Sequence, residues 1–229
     1  MKNNVNLETI QHLEIFNPLS ALQKEEIVRK SSLLHVARNR KVYTEDIEFR
    51  NVYVVVEGAV KLGLNASNGK TLIKHIAYAQ DVFGENIFTK HQVRNEFAEV
   101  MKDATILSIP VHTFKQIVGS NFHFAQSITK IIIQRLNNIE QRMQSFVFLK
   151  AKRRIVEFIK KTASFKGINI GIDEILINHG MSHKEIAFLT DTSRQTVARV
   201  LGELKKENII HFSARKPSKI LIRNMIALG

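Results

Sequence analysis

Ser182-His183-Lys184-Glu185-Ile186-Ala187-Phe188-Leu189-Thr190-Asp191-Thr192-Ser193-Arg194-Gln195-Thr196-Val197-Ala198-Arg199-Val200-Leu201-Gly202-Glu203-Leu204-Lys205 is the stretch on which the reading of this chain turns. Ser182 and Glu185 stand in the Ser-x-x-Glu order of a capping box, which satisfies the orphan N–H groups at a helix start. A short helix is predicted from Glu185 to Leu189, with Ile186 and Leu189 facing inward. Ala187 is small, as needed where a second helix crosses closely. Asp191-Thr192 supplies a turn, since Asp tolerates the left-handed backbone that such turns use. Ser193 then caps a second helix, Arg194–Lys205, whose Val197, Val200, Leu201 and Leu204 form a buried stripe at helical spacing. Lys184–Lys205 is therefore expected to be a helix-turn-helix.

The opposite side of the second helix presents Arg194, Gln195 and Arg199 near its N-terminal end. The first turns of a recognition helix enter the major groove, where side chains reach base edges. Arg bonds bidentately to guanine O6 and N7, and Gln to adenine N6 and N7. Thr192, Ser193 and Thr196 are short hydroxyl residues suited to phosphates beside a helix N-terminus. After Asn208, two apolar runs, Ile209–Phe212 and Ile220–Ile222, flank a Lys/Arg/Pro turn and predict a β-hairpin wing. Arg215, Lys216 and Lys219 at its tip are placed to hold flanking DNA backbone.

Charge points to the same partner. The net charge is +13, and residues 147–229 carry +9 of it. A positive field concentrated on one module suits double-stranded DNA, because each neutralised phosphate releases condensed counterions. Charge alone is equally compatible with an anionic membrane surface or with simple solubility. No Cys is present, which excludes disulfides, thiolate metal sites, a Cys nucleophile and a Cys-ligated iron–sulfur cluster. The N-terminal residues have no apolar core of signal-peptide length, and no apolar run approaches a membrane span. A soluble, cytoplasmic protein without membrane contact is expected.

Upstream, the hydrophobic period is near two from about Ser32 to Ile109, following a few helical turns around Leu19–Lys30. Val52–Val56 reads as a strand ending in a turn at Glu57-Gly58, and Val60–Leu64 as the next. Asn68-Gly69 is a hairpin signal leading to Leu72–Ala77. Phe97–Met101 and Thr105–Ile109 read as two more strands before Pro110. Short strands at this spacing indicate a β-sandwich or barrel. From about Phe122 to Phe148 the period is helical, and Ile132, Leu136, Ile139, Met143 and Phe146 recur at spacings of 4, 3, 4 and 3. Such a seam faces a partner helix in a two-stranded coiled coil, so a homodimer is expected. Packing of the stripe on the chain's own β-domain is the alternative. Beyond Leu149 a basic helix is expected to run to about Lys161, followed by a loop at Gly167–Gly171.

With these segments in place, the chain resembles the Crp/Fnr superfamily of bacterial transcription regulators. The most specific stretch is Glu185–Leu201, where Ser-Arg-x-Thr-Val-x-Arg stands at Ser193–Arg199. Glu57-Gly58-Ala59-Val60-Lys61-Leu62 and Asp81-Val82-Phe83-Gly84-Glu85 resemble the family's sensor signatures. The resemblance implies an α+β fold: a jelly-roll-like β-roll (a double-stranded β-helix), a long central dimerisation helix and a winged helix-turn-helix. The expected domains are a cyclic-nucleotide-binding-like sensor over 1–120, the dimerisation helix over 121–148 and the DNA-binding domain over 149–229. It also implies RNA polymerase as a partner if the protein is an activator.

Two departures matter. In the catabolite-activator branch the residue after the first Arg is Glu, an acceptor from cytosine, whereas Gln195 stands here. Cyclic-nucleotide binders hold the phosphate with an Arg-Ser pair and the ribose 2′-OH with the Gly-Glu carboxylate. Gly84 and Glu85 keep the latter, Arg94-Asn95 replaces the former, and the adenine-contacting hydroxyl pair falls on Ile139 and Glu140. An apolar and an anionic residue cannot supply those hydrogen bonds, which argues against cyclic AMP and leaves the effector open.

Nine His are present, but His75, His91, His112 and His123 have no ligand-spaced company. His179 and His183 are four apart without a third ligand, so no metal and no cofactor are assigned. No nucleophile–base pair, phosphate-cradling loop or paired-carboxylate constellation marks an enzyme. A second reading keeps the β-roll as a ligand-sensing module acting mainly through protein contacts, with the basic tail incidental.

Overall fold

The computed structural model describes residues 5–69, 71–88, 93–213 and 219–228. The chain divides into two compact units, residues 1–137 and 138–229.

The first unit opens with two helices, α1 (Leu7–Gln11) and α2 (Ala21–Lys30). Ser20 caps α2 in a capping box with Gln23. Six strands follow: β1 (Ser32–Val36), β2 (Lys41–Tyr43), β3 (Asn51–Asn65), β4 (Thr71–Tyr78), β5 (Val82–Phe83) and β6 (Phe97–Pro110). They form one antiparallel sheet in the order β1-β6-β3-β4, with β2 also on β6 and β5 on β3. Two helices close the unit: α3 (Val111–Ser120) and the start of α4 (Phe122–Phe148), which runs on into the second unit.

Alternate residues of β3 serve two cores. Val52 and Val54 pack with Leu107, Ile109, Phe114, Phe124 and Ile128 on the helical side. Tyr53 and Val55 pack with Tyr43, Phe83, Ala98 and Ile106 on the other. Burial on both faces is why the sequence there is a continuous apolar run rather than an alternation.

Two expected strand breaks are absent. Glu57-Gly58 is not a turn; β3 runs through it, and the pairing with β6 shifts register between Val55 and Val60. Gly58 sits at φ 96°, and a Cβ there would lie 2.3 Å from the Asp103 carbonyl oxygen. The residue permits a bulge that bends the sheet without ending it. Met101 and Thr105 likewise belong to the single strand β6, where Lys102 and Asp103 are exposed polar residues of that same bulged region. The Asn68-Gly69 hairpin joins β3 to β4 as expected, with Gly69 at φ 77°.

In the second unit, α5 (Ala151–Lys166) continues five residues past the predicted end at Lys161, since nothing before Gly167 breaks the helix. The predicted loop at Gly167–Gly171 begins instead with β7 (Gly167–Asn169), paired with β8 (Ile175–Asn178). Then come α6 (His183–Leu189), α7 (Arg194–Lys206), β9 (Ile210–Ser213) and β10 (Lys219–Ile222). The sheet order is β7-β8-β10-β9, and β9–β10 is the predicted wing. Among the described residues no helix is long and apolar enough to cross a membrane.

Gly58→Ala is expected to destabilise the protein by roughly 1–3 kcal/mol through forced left-handed backbone alone, and more through the contact with Asp103. Urea unfolding checks this; an unchanged midpoint would show that the bend accepts a side chain.

Candidate nucleic-acid interface and effector site

The helix-turn-helix is built by local capping. Ser182 Oγ accepts from the Glu185 N–H at 3.2 Å while the Glu185 carboxylate accepts from the Ser182 N–H at 2.7 Å. Ile186 and Ala187 are buried, whereas Leu189 is only half-buried. Asp191 takes φ 49°, and the Thr192 N–H returns to the Ala187 carbonyl at 3.0 Å. Ser193 Oγ accepts from the Thr196 N–H at 3.0 Å, capping α7. The hydroxyls of Ser193 and Thr196 are also 2.8 Å apart, so these two expected phosphate contacts share one hydrogen bond. Thr192 is half-buried beside them.

Val197, Val200, Leu201 and Leu204 bury one face of α7. Arg194, Gln195 and Arg199 are exposed on the other. Arg199 is held by a 2.5 Å contact from Nη1 to Glu203 Oε1, and Lys152 reaches the same carboxylate at 3.4 Å. The Arg199 hydrogen bond, with Lys152, keeps the Glu203 carboxyl below its ordinary range. Arg199 thus pairs with a carboxylate one turn along the exposed helix surface. The predicted wing contacts Arg215 and Lys216 lie outside the described residues, and Lys219 opens β10. His183 packs edge-on against Phe212, and partial burial followed by the Arg194 charge lowers its pKa. His179 Nδ1 accepts from the Met181 N–H at 3.0 Å.

In the roll, the four candidate effector residues part company. Gly84, at φ 78°, lies against Arg94: a Cβ on Gly84 would come within 2.8 Å of Arg94 Nη1. Arg94 is only 2% exposed. Its guanidinium lies 3.9 Å from the Tyr43 ring centroid, 5.1 Å from that of Phe49 and 5.5 Å from that of Tyr53. Nη2 donates to the Asn51 carbonyl at 2.5 Å, while Nε and Nη1 have no hydrogen-bond partner among the described residues. Glu85 is ion-paired with Arg135 of α4, which also donates to the Val82 carbonyl. Asn95 is exposed, whereas the neighbouring Arg94 is buried.

Three neighbours were not singled out from sequence. Glu96 is buried and accepts from Tyr43 Oη at 3.0 Å and from Lys74 Nζ at 2.7 Å. Burial, then the Glu96 charge, pushes the Tyr43 phenol well above its ordinary value. Lys74, Tyr43 and Glu96 lie on three different strands or loops, so no local spacing announces them.

A family model for the cyclic nucleotide-binding domain matches residues 33–121, and one for the Crp-like helix-turn-helix domain matches residues 153–229. The chain belongs to the Crp/Fnr transcriptional regulators. Like them it joins a sensor-type roll to a DNA-binding head. It is 23% identical over 182 residues to the anaerobic regulatory protein of Bacillus subtilis, covering 79% of this chain and 75% of that one. It is 24% identical over 183 residues to the cAMP-activated global transcriptional regulator CRP of Haemophilus influenzae, covering 80% and 77%. Among solved structures, a CooA mutant from Carboxydothermus hydrogenoformans superimposes with a TM-score of 0.75 at 26% identity, covering 100% of this chain and 96% of that one.

Within this Crp/Fnr roll, His75 gives a pH test. Burial, with the Arg135 charge adding, lowers its pKa from 6.5 to about 4. The ring is therefore neutral at pH 7, and its 3.9 Å approach to Asp81 is no ion pair there. The unfolded chain binds a proton near pH 6.5 that the folded roll refuses. Stability is thus full above that pH and is lost as pH falls towards 4, by about 3 kcal/mol. Asp81, which burial raises, acts in the opposite sense only at the acidic end. His75→Leu should flatten urea stability between pH 6.5 and 4.5; an unchanged slope would contradict a neutral buried ring.

Proposed function

We propose that the protein acts as a homodimer that reads an inverted-repeat operator in double-stranded DNA, with α7 in the major groove of each half-site. The observation that carries this reading is the exposed N-terminal face of α7, where Arg194, Gln195 and Arg199 stand clear of the core. In this reading those three meet base edges, and Thr192, Ser193 and Thr196 meet phosphates. Arg215, Lys216 and Lys219 hold the flanking backbone. Gln195, a donor as well as an acceptor, favours adenine over the cytosine that a Glu would select. The chain is assigned no catalytic step. If it activates transcription, RNA polymerase is its protein partner, and the cytoplasm is where these meet.

The dimer reading rests on α4. Phe124 and Ile128 are buried in the chain's own core, but past Ile128 no residue of the helix is buried. Ile132 is 46% exposed, Leu136 54%, Ile139 51%, Met143 62% and Phe146 56%. An apolar row this exposed over four helical turns is what a twin helix would cover. With a two-fold axis along it, the two copies of α7 would meet successive major grooves, about one DNA turn apart.

For the roll, we infer a small anionic effector other than cyclic AMP, drawn by the two unpartnered Arg94 nitrogens, Nε and Nη1, with Gly84 alongside. Glu85 already serves Arg135, and Ile139 and Glu140 lack the hydroxyls that adenine requires. Asn95 completes the predicted set from the exposed side.

Selection of binding sites from random DNA, followed by footprinting, tests the reader; recovery of no common inverted repeat would refute it and favour the protein-contact reading. Arg199→Ala should cost about 1–3 kcal/mol on the recovered operator and relax base preference at one position per half-site. Leu136→Glu should yield monomers by sedimentation and abolish operator binding. A variant that stays dimeric would place the interface elsewhere.

A further inference from the structure

The turn of the helix-turn-helix is gripped by two arginines that touch no base in the proposed reading. Arg142, on α4, holds the Asp191 carboxylate from both sides: Nε to Oδ2 at 2.7 Å and Nη2 to Oδ1 at 2.6 Å. The same Nη2 donates to the Phe188 carbonyl at 2.7 Å, near the C-terminal end of α6. Arg154, on α5, donates to the Thr190 and Asp191 carbonyls at 2.8 Å each. Its third contact, from Nη1 to the Leu149 carbonyl at 2.7 Å, ties it to the junction between α4 and α5. The Phe146 ring lies 5.1 Å beneath its guanidinium.

We propose that Arg142 and Arg154 are positioning residues for the reader, locking α7 in a fixed orientation on the C-terminal end of α4. Two planar forks satisfy the last carbonyls of α6 and the one carboxylate of the turn, where cations also complement the helix dipole. Bidentate contacts fix angle as well as distance, which a single lysine contact would not. Asp191 precedes Ser193, the cap of α7, by two residues, so fixing the turn fixes the first turn of α7. Arg142 immediately precedes Met143 of the exposed apolar row. A twin pairing along that row is therefore connected to each reading helix by the path α4, Arg142, Asp191, Ser193, α7. The covalent route is longer and passes through Leu149-Lys150, the two residues between α4 and α5. The clamp sets the separation and tilt of the two readers, and so the half-site spacing the dimer accepts.

This inference rests on the dimeric reader proposed above, and the experiment separates the two. Full-length protein is titrated against the selected operator and against versions with the half-sites one base pair closer or farther apart. The variants are Arg142→Met, Arg142→Lys and the near-isosteric Asp191→Asn. The parent should discriminate strongly against both altered spacings. Arg142→Met and Asp191→Asn should each bind the selected operator about tenfold more weakly, and the double variant no worse than the weaker single one. Spacing discrimination in them should shrink to within about twofold, with the dependence on salt unchanged because no phosphate contact is lost. Arg142→Lys should fall between. If Arg142→Met fails to fold, Asp191→Asn, which keeps the shape and tolerance of the turn, decides alone. Retained spacing discrimination in the folded variants would overturn the clamp while leaving the reader intact. So would a salt slope smaller by about one, which would make Arg142 a phosphate contact. A parent that ignores spacing would overturn the dimeric reader and the clamp with it.

Discussion

β3 and β6 pair along nearly their whole length, from Asn51 opposite Pro110 to Gly63 opposite Phe97, and the first unit is arranged around that ladder. Every other strand of the sheet hydrogen-bonds to one of the two. Because both faces are covered, each residue pair feeds a different core: Val52 and Val54 the helical layer, Tyr53 and Val55 the interior of the roll. The bulge at Gly58 bends the ladder, and Pro110 ends it, starting α3 where its missing N–H costs nothing. Asn121 then caps α4, accepting from the Phe124 N–H at 2.9 Å, and Phe124 returns to the core that the ladder defines. The start of the long helix is thereby set by the sheet.

The same ladder creates the unusual electrostatics of the roll. Burying a guanidinium costs several kcal/mol unless its N–H groups are paired. Arg94 recovers part of that from the Asn51 carbonyl and from the electron-rich ring faces around it. Glu96, by contrast, is matched by Lys74 and Tyr43, and Glu85 by Arg135. Among the described residues the roll therefore neutralises its buried carboxylates and leaves donor capacity on one buried cation. That asymmetry is the physical ground on which the proposed anionic effector rests.

Legibility followed the range of each interaction. The caps at Ser182 and Ser193 are three-residue events between a side chain and a nearby N–H, and their residues are close in sequence. The stripe Val197, Val200, Leu201 and Leu204 repeats with the helix and is buried as its period implies. The strand breaks proposed at Glu57-Gly58 and after Met101 failed because a bulge and a turn use the same residues; only the partner strand distinguishes them. The end of α5 was misplaced for a related reason, since the helix stops where Gly167 begins pairing with β8, and that pairing is tertiary.

By itself the sequence determined the order of modules, the capped helix-turn-helix, the apolar row on α4 and the basic bias of the last third, because each is a periodicity or a composition along one element. Tertiary structure alone decided that Arg94 is caged by aromatic rings, that Arg135 occupies Glu85 and that Arg142 and Arg154 grip the turn at Asp191. Those contacts join residues 36 to 50 positions apart, or pair a charge with rings from separate strands and loops. A lone arginine in a helical pattern reads as a solvated surface cation. Only the fold, by bringing a carboxylate or a row of helix-end carbonyls within hydrogen-bond reach, turns it into a fixed part of the reading head.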